Sequence, residues 1–325
     1  MGAIKEVVSV SLGSSTRDHE VEIDLLGEEF RLRREGVDGD FQRAVARLSE
    51  LDGRVDALSL GGIDLYLRAA GHDYRFRAAK PFARAVIRTP LVCGAALKGP
   101  LEQATVRYMR DELGLLFEGK RTLVTSAVDR YGLAEGLLES GCDMRYGDLL
   151  YALGIPVLIQ GKHALDTLIH ILAPVVVQLP FSWLYPTGSA QEAAPSANRT
   201  KMYRDFDIIA GDFQYVRKYM PDDMAGKWVV TNTTTSSDVD DMRKRGVELL
   251  VTTTPRLAGR SFGTNVIEAA LIALAGASGE LNADEYLRLL AEVDFRPDVQ
   301  WLQREHVIGN TEAEVAQSQG AAMTL

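Results

Sequence analysis

A chain of 325 residues is longer than one ordinary domain and suits two. With 46% apolar and 25% charged residues it has the balance of a globular protein with a large core. A formal net charge of -9 and no long basic cluster exclude the electrostatic footprint of a nucleic-acid binder.

In chain order, residues 7–12 read as a strand, and 21–26 with 29–33 alternate around Gly27 like a hairpin. Helical spacing of apolar residues follows from Asp40, then a short buried strand over 55–60 ends at Gly61-Gly62. Residues 82–87 predict a helix, 89–93 a strand end and 101–113 an amphipathic helix stopped by Gly114. From residue 120 the pattern becomes regular. Strands are expected over 122–126, 142–146, 207–210, 228–231 and 249–252, with helices over 133–138, 213–219, 237–245 and 281–290.

These elements predict an α/β protein of two lobes: an N-terminal α/β lobe over 1–114, then a doubly wound, Rossmann-like parallel sheet over 120–280. A C-terminal helix and tail complete the chain over 281–325. The opening MGAIKEVVSVSLG lacks the layout of a secretory leader, which predicts a cytoplasmic protein. The greasiest stretch, 165–186, is interrupted by Asp166, His170, Pro174, Gln178 and Pro180, so it does not read as a membrane span of about 20 apolar residues. Its apolar residues, with Phe181 and Trp183, instead predict a homodimer interface or a lid. His170 in this stretch reads as a core or interface histidine. Cys93 and Cys142 read as buried, reduced thiols. The five histidines show no pairing that suits a metal.

The strongest local signal is the turn TSAVDRYGLAEG after the strand at 122–126. A helix starting near Gly132 would aim free N–H groups at a pyrophosphate, with Ser126, Asp129 and Arg130 around it. Asp148, at the end of the next strand, stands where a carboxylate accepts from ribose hydroxyls. The turn lacks GxGxxG, and Asp129 capping a helix is the bland account of it. A second anion site is predicted at TTTPRLAGRSFGTN, where Arg256, Arg260, Ser261, Gly263, Thr264 and Asn265 precede a helix. Asn265 with Glu268 also makes an ordinary helix start. Asp212, Thr231, Asn232 and Thr252 would line the same sheet edge. In the first lobe, Asp64 and Lys98 on two loops form a candidate acid/base pair or else a solvated ion pair.

The segments VVSVSLGSS, LSLGGIDLYL, TSAVDRYGLAE, GDLLYALG, FSWLYPTG, VVTNTTT and LVTTTPRLAGRSFGTNV resemble a bacterial family labelled quinate 5-dehydrogenase, over residues 5–275. That resemblance implies a substrate lobe followed by an NAD- or NADP-binding Rossmann lobe, with Lys98 and Asp64 at the alcohol being oxidised. The NxTxPxK and GxGGxxxA motifs of shikimate dehydrogenases are absent. Three readings stand: an NAD(P)-dependent dehydrogenase of a cyclic hydroxy acid, a non-redox nucleotide- or phosphometabolite-binding enzyme, and a regulatory protein without catalysis.

Overall fold

The computed structural model describes residues 4–180, 200–254 and 263–303, with the backbone alone of 256–257 and 260–261. Strand β1 (Lys5–Ser11) runs through the middle of the first sheet, which is why it is apolar on both faces. It is followed by a hairpin of β2 (His19–Leu25) and β3 (Glu28–Gly36), then helix α1 (Phe41–Leu51), whose first turn is capped by Asp40. Next come β4 (Ala57–Gly61), a small hairpin of β5 (Tyr66–Ala69) and β6 (His72–Arg75), α2 (Lys80–Ala85) and β7 (Leu91–Val92). The sheet order is β2-β3-β1-β4-β7, parallel except for β2. Alternation sorts its side chains: Val8 and Val10 pack with Leu48 and Phe82 on one face, while Val7, Phe30 and Leu32 face the other.

Helix α3 (Ala95–Asp111) belongs to both lobes. Its first half puts Ala96, Leu97 and Leu101 in the core of the first, and its second half puts Val106 and Met109 in the core of the second. It begins six residues before the expected 101, so Lys98 stands on a helix and not on a loop.

The second lobe continues with β8 (Arg121–Val124), α4 (Tyr131–Glu139), β9 (Asp143–Tyr146), α5 (Asp148–Tyr151), β10 (Ile159–Gln160) and α6 (Lys162–Val176). Then come β11 (Ile208–Ala210), α7 (Phe213–Tyr219), β12 (Trp228–Thr231), α8 (Ser236–Lys244) and β13 (Leu249–Thr252). A two-stranded ribbon of β14 (Arg256–Leu257) and β15 (Arg260–Ser261) leads to α9 (Thr264–Ala275), α10 (Ala283–Glu292) and β16 (Asp298–Trp301). The sheet order is β10-β9-β8-β11-β12-β13-β16, with five parallel strands in the middle and an antiparallel strand at each edge. Val124, Ala210, Val230 and Val251 face α4 and α6, and Leu123, Ile209, Val229 and Leu250 face α7 and α8.

The protein is therefore a two-lobed α/β molecule with parallel sheets, as its pattern predicts. One boundary differs. Helix α9, buried along almost its whole length, packs on β1 and β4 of the first sheet, and α10 packs on α3. A helix so uniformly apolar needs cover on several sides, and the first sheet supplies it together with Tyr286 and Leu290 of α10. The segment 120–280 is thus not one unit: its last helix completes the first lobe. Cys93 and Cys142 are both buried and free. His170 is exposed on α6, its ring edge-on to His72 at 5.0 Å, so it is not a core residue.

Candidate functional site

The turn after β8 is held by the protein's own side chains. Asp148, the first residue of α5, turns its carboxylate back to accept from the N–H groups of Ala127 (3.1 Å) and Val128 (2.9 Å). Glu102 of α3 accepts from Leu133 N–H at 2.9 Å in the first turn of α4. The donors expected to face a pyrophosphate are therefore occupied by two carboxylates. Gly132, expected to open a helix aimed at a pyrophosphate, leaves room for α3: a Cβ there would lie 2.5 Å from Gly99 Cα. Ser126 Oγ accepts from Asp212 N–H at 3.0 Å.

Arg130 fills the crevice between the ends of β8 and β11, where the strand order reverses. Its guanidinium lies 2.7 Å from Asp212, 3.2 Å from Glu102 and 3.2 Å from Asp129. Burial works against that charge, but Asp129, Asp212 and Glu102 outweigh it and raise the pKa above the usual arginine value. Asp212 also accepts from Asn232 Nδ2 at 2.9 Å. Burial pushes the Asp148 carboxyl up to about 6. Its carboxylate, expected to accept from ribose hydroxyls, instead accepts from the backbone of the preceding turn.

The other expected strand-end ligands satisfy one another. Thr231 donates to Gly211 O at 2.8 Å and Thr252 to Thr254 O at 3.2 Å. Gly263 is the N-cap position of α9, and Thr264 opens the helix. Asn265 donates to Ser9 Oγ (3.0 Å) and Ser59 Oγ (3.1 Å), tying α9 to β1 and β4. The side chains of Arg256, Arg260 and Ser261 lie outside the described residues, as do Phe181 and Trp183.

Lys98 and Asp64 do meet, with Nζ 3.3 Å from Oδ2, and Asp129 makes a third partner at 2.9 Å. Burial pulls the Lys98 ammonium down, yet Asp129 and Asp64 more than offset it and hold its pKa above the ordinary amine range. Burial raises Asp64, while Lys98 and Arg130 keep Asp129 at about 2 in spite of its burial. A lysine so held stays protonated near neutrality, so it suits a fixed donor and not a general base.

Lys98 and Asp129 line a cavity of about 320 Å³ between the lobes. Its other polar walls are Tyr66 and Arg68 of the β5–β6 hairpin and Tyr131 and Glu135 of α4. Tyr131 donates to Asp166 at 2.6 Å and accepts from Lys162 at 2.5 Å. Arg68 is paired with Asp73 at 2.7 Å, and Tyr66 donates to Glu280 at 2.8 Å. None of these four was singled out from the sequence. The hairpin alternation around Gly71 and the helix start at Tyr131 were the only local signals. Among the described residues no group of His, Cys, Asp and Glu could hold a metal, and no helix is long and apolar enough to cross a membrane.

Fold and site together define a two-lobed α/β protein with a polar cavity at the lobe junction. The chain belongs to the family described as Domain of unknown function (DUF8754), which matches residues 96–302, and residues 6–93 match Domain of unknown function (DUF8753). No curated protein matches it. Among solved structures it is similar to the periplasmic ribose ABC transporter from Conexibacter woesei DSM 14684, at 12% identity and a TM-score of 0.39, over 89% of this chain and 95% of that one. It is also similar to the Caulobacter myo-inositol binding protein bound to myo-inositol, at 12% identity and a TM-score of 0.37, over 95% and 99% of the two chains. A third is the binding-protein component of the arabinose ABC transporter from Shewanella sp. ANA-3, at 11% identity and a TM-score of 0.33, over 98% and 97%. The identification as a quinate 5-dehydrogenase, and with it the oxidoreductase reading, is corrected by these findings. The matching family models are described only as domains of unknown function and not as a dehydrogenase, and the dinucleotide turn is filled from within.

Proposed function

We propose that the inter-lobe cavity binds a small, uncharged, hydroxyl-rich metabolite. The observation that carries this reading is the state of the cavity's charges: every charged group on its walls already has an opposite partner. Lys98 is held by Asp64 and Asp129, Arg68 by Asp73, and Glu135 faces Lys162 at 3.5 Å. An ionic ligand would find no unpaired charge there. A hydroxyl can donate to Asp129 or Glu135 and accept from Lys98 without disturbing the balance. The cavity volume falls at the lower end of small-molecule sites. Asp64 follows β4 and Asp129 follows β8, so the site lies where the carboxyl ends of the two sheets approach, as doubly wound, Rossmann-like sheets favour.

Calorimetric titration with myo-inositol, ribose and arabinose, beside quinate, NAD and NADP, tests the proposal. The neutral polyols are expected to bind, and Glu135→Gln to weaken them by about one power of ten, as loss of a hydrogen bond to a charged group does. Binding of the anions alone, or polyol affinity indifferent to Glu135→Gln and Arg68→Gln, would overturn it.

A further inference from the structure

The first sheet has a reversal point of its own, at the end of β1, with β3 on one side and β4 on the other. The carboxyl end of such a strand is where open α/β sheets place ligands. Here the chain runs Ser11, Leu12, Gly13 and Ser14, pinned by hydrogen bonds from Leu12 N–H to Gly61 O and from Asp38 N–H to Gly13 O. Two guanidiniums converge over Gly13: a Cβ at that position would lie 2.6 Å from Arg17 Nη2, 2.9 Å from Arg34 Nη2 and 3.3 Å from Ser11 Oγ.

Two like charges brought so close repel unless something neutralises them. Arg34 is largely covered, its side chain 15% exposed, and it donates to Asp18, Ser14 O and Ser11 Oγ. Burial first, and the charge of Arg17 second, pull it below the usual arginine value. Arg17 is exposed and forms no ion pair among the described residues. Of the nearby carboxylates, Asp18 pairs with Arg34 and none with Arg17 among the described residues. Asp18 takes Arg34 and Gly36 N–H at 2.6 Å, and Asp38 takes Ser15 N–H at 2.8 Å.

We infer that Arg17, Arg34 and the Ser11 hydroxyl form a binding site for a tetrahedral oxyanion such as the phosphate group of a metabolite. Guanidinium forks match such oxygens in pairs, and the missing side chain at Gly13 is what lets the two guanidiniums come together over the loop. The site is separate from the inter-lobe cavity, and either can fail without the other.

The test is titration of the full chain with inorganic phosphate at constant ionic strength, chloride replacing phosphate in the control. Phosphate is expected to bind and to raise the melting temperature where chloride does not. Arg17→Gln should weaken phosphate about tenfold, Arg17→Lys less, and Arg54→Gln, on the same lobe's surface, not at all. Absence of phosphate binding, an equal loss in Arg54→Gln, or unchanged affinity in Arg17→Gln overturns the inference.

Discussion

The two lobes treat the same topological place in opposite ways. At the reversal point of the second sheet one guanidinium, Arg130, is surrounded by Asp129, Asp212 and Glu102, and the crevice is closed by the chain's own charges. At the reversal point of the first sheet two guanidiniums meet over Gly13, Asp18 pairs with Arg34 alone, and Asp38 holds a backbone N–H group. A sheet edge therefore does not by itself make a ligand site. What decides is whether the charges aimed into it are neutralised from within. The count of partners around each arginine separates an internal brace from an external receptor.

The largest effect that could break this comparison is at Arg130. Replacing it with Met would leave Glu102 and Asp212 without their cation and Asp129 with Lys98 alone, and removing one partner of a buried pair typically costs about 3 to 5 kcal/mol. Arg17→Gln, at an exposed side chain without an ion pair, should change stability by less than about 0.5 kcal/mol. Urea unfolding of both variants reads the difference. Near-equal values would mean that the second crevice is not braced by its charges, and the contrast between the lobes would fall.

A somewhat smaller effect concerns Glu268, through which α9 is fixed to the first lobe. Its fully buried carboxyl accepts from Gly94 N–H at 2.5 Å and from Tyr286 Oη at 2.9 Å. Burial pushes it up from the ordinary 4.5 to about 7, with the neighbouring Glu280 adding and Arg68 opposing. An acid raised on folding binds more protons in the native state, so its contribution to stability is fully present below the unfolded value and is lost as the pH rises through the folded one. Between pH 4.5 and 7 the wild type should lose about 3 kcal/mol relative to Glu268→Gln, which keeps the shape and one accepting oxygen but cannot ionise. Unfolding midpoints of the two proteins at either end of that window check it. Parallel curves would show that α9 is not anchored by a titrating group, and the first lobe would then be closed on that side by apolar packing alone.

Much of the scaffold was legible because it rests on local periodicity. Residues 228–231 and 249–252 alternate between the two faces of a covered sheet, and Asp40 and Asp212 cap the helices that follow them. The meeting of Lys98 with Asp64 could be proposed from two strand ends, but Asp129, the closer partner, came from the turn assigned to a nucleotide. The failures are long-range. Nothing local shows that Asp148 turns back on Ala127 and Val128, or that Glu102, in a different helix, reaches Leu133. Asn265 looked like a phosphate ligand because its partners, Ser9 and Ser59, lie more than 200 residues away in the sequence. A free helix N-terminus and one capped from a distance have the same sequence signature.

The smallest expected effect tests why the second crevice is closed, and it turns on two glycines of α4. Gly132→Ala would gain up to about 1 kcal/mol of helix propensity, less at this second position of the helix, but its Cβ would meet Gly99 Cα at 2.5 Å and Gly99 O at 2.6 Å. Backbone cannot rotate aside, and overpacking of that kind costs about 1 to 3 kcal/mol, so a net loss near 1 kcal/mol is expected. At Gly136 a Cβ would meet only the side chain of Val106, at 3.2 Å, and Gln103 Cα at 3.4 Å. Since a valine can give by a few tenths of an ångström, Gly136→Ala should be close to neutral. The ranking matters more than either value, because displacing α4 at Gly132 also stretches the bond from Leu133 N–H to Glu102 and so loosens the carboxylate that holds Arg130. Denaturant melts of the pair give the ranking directly. If Gly136→Ala proved the more harmful, α3 and α4 would be limited by side-chain packing along their length, and the backbone contact at Gly99 would not be what keeps the second lobe shut.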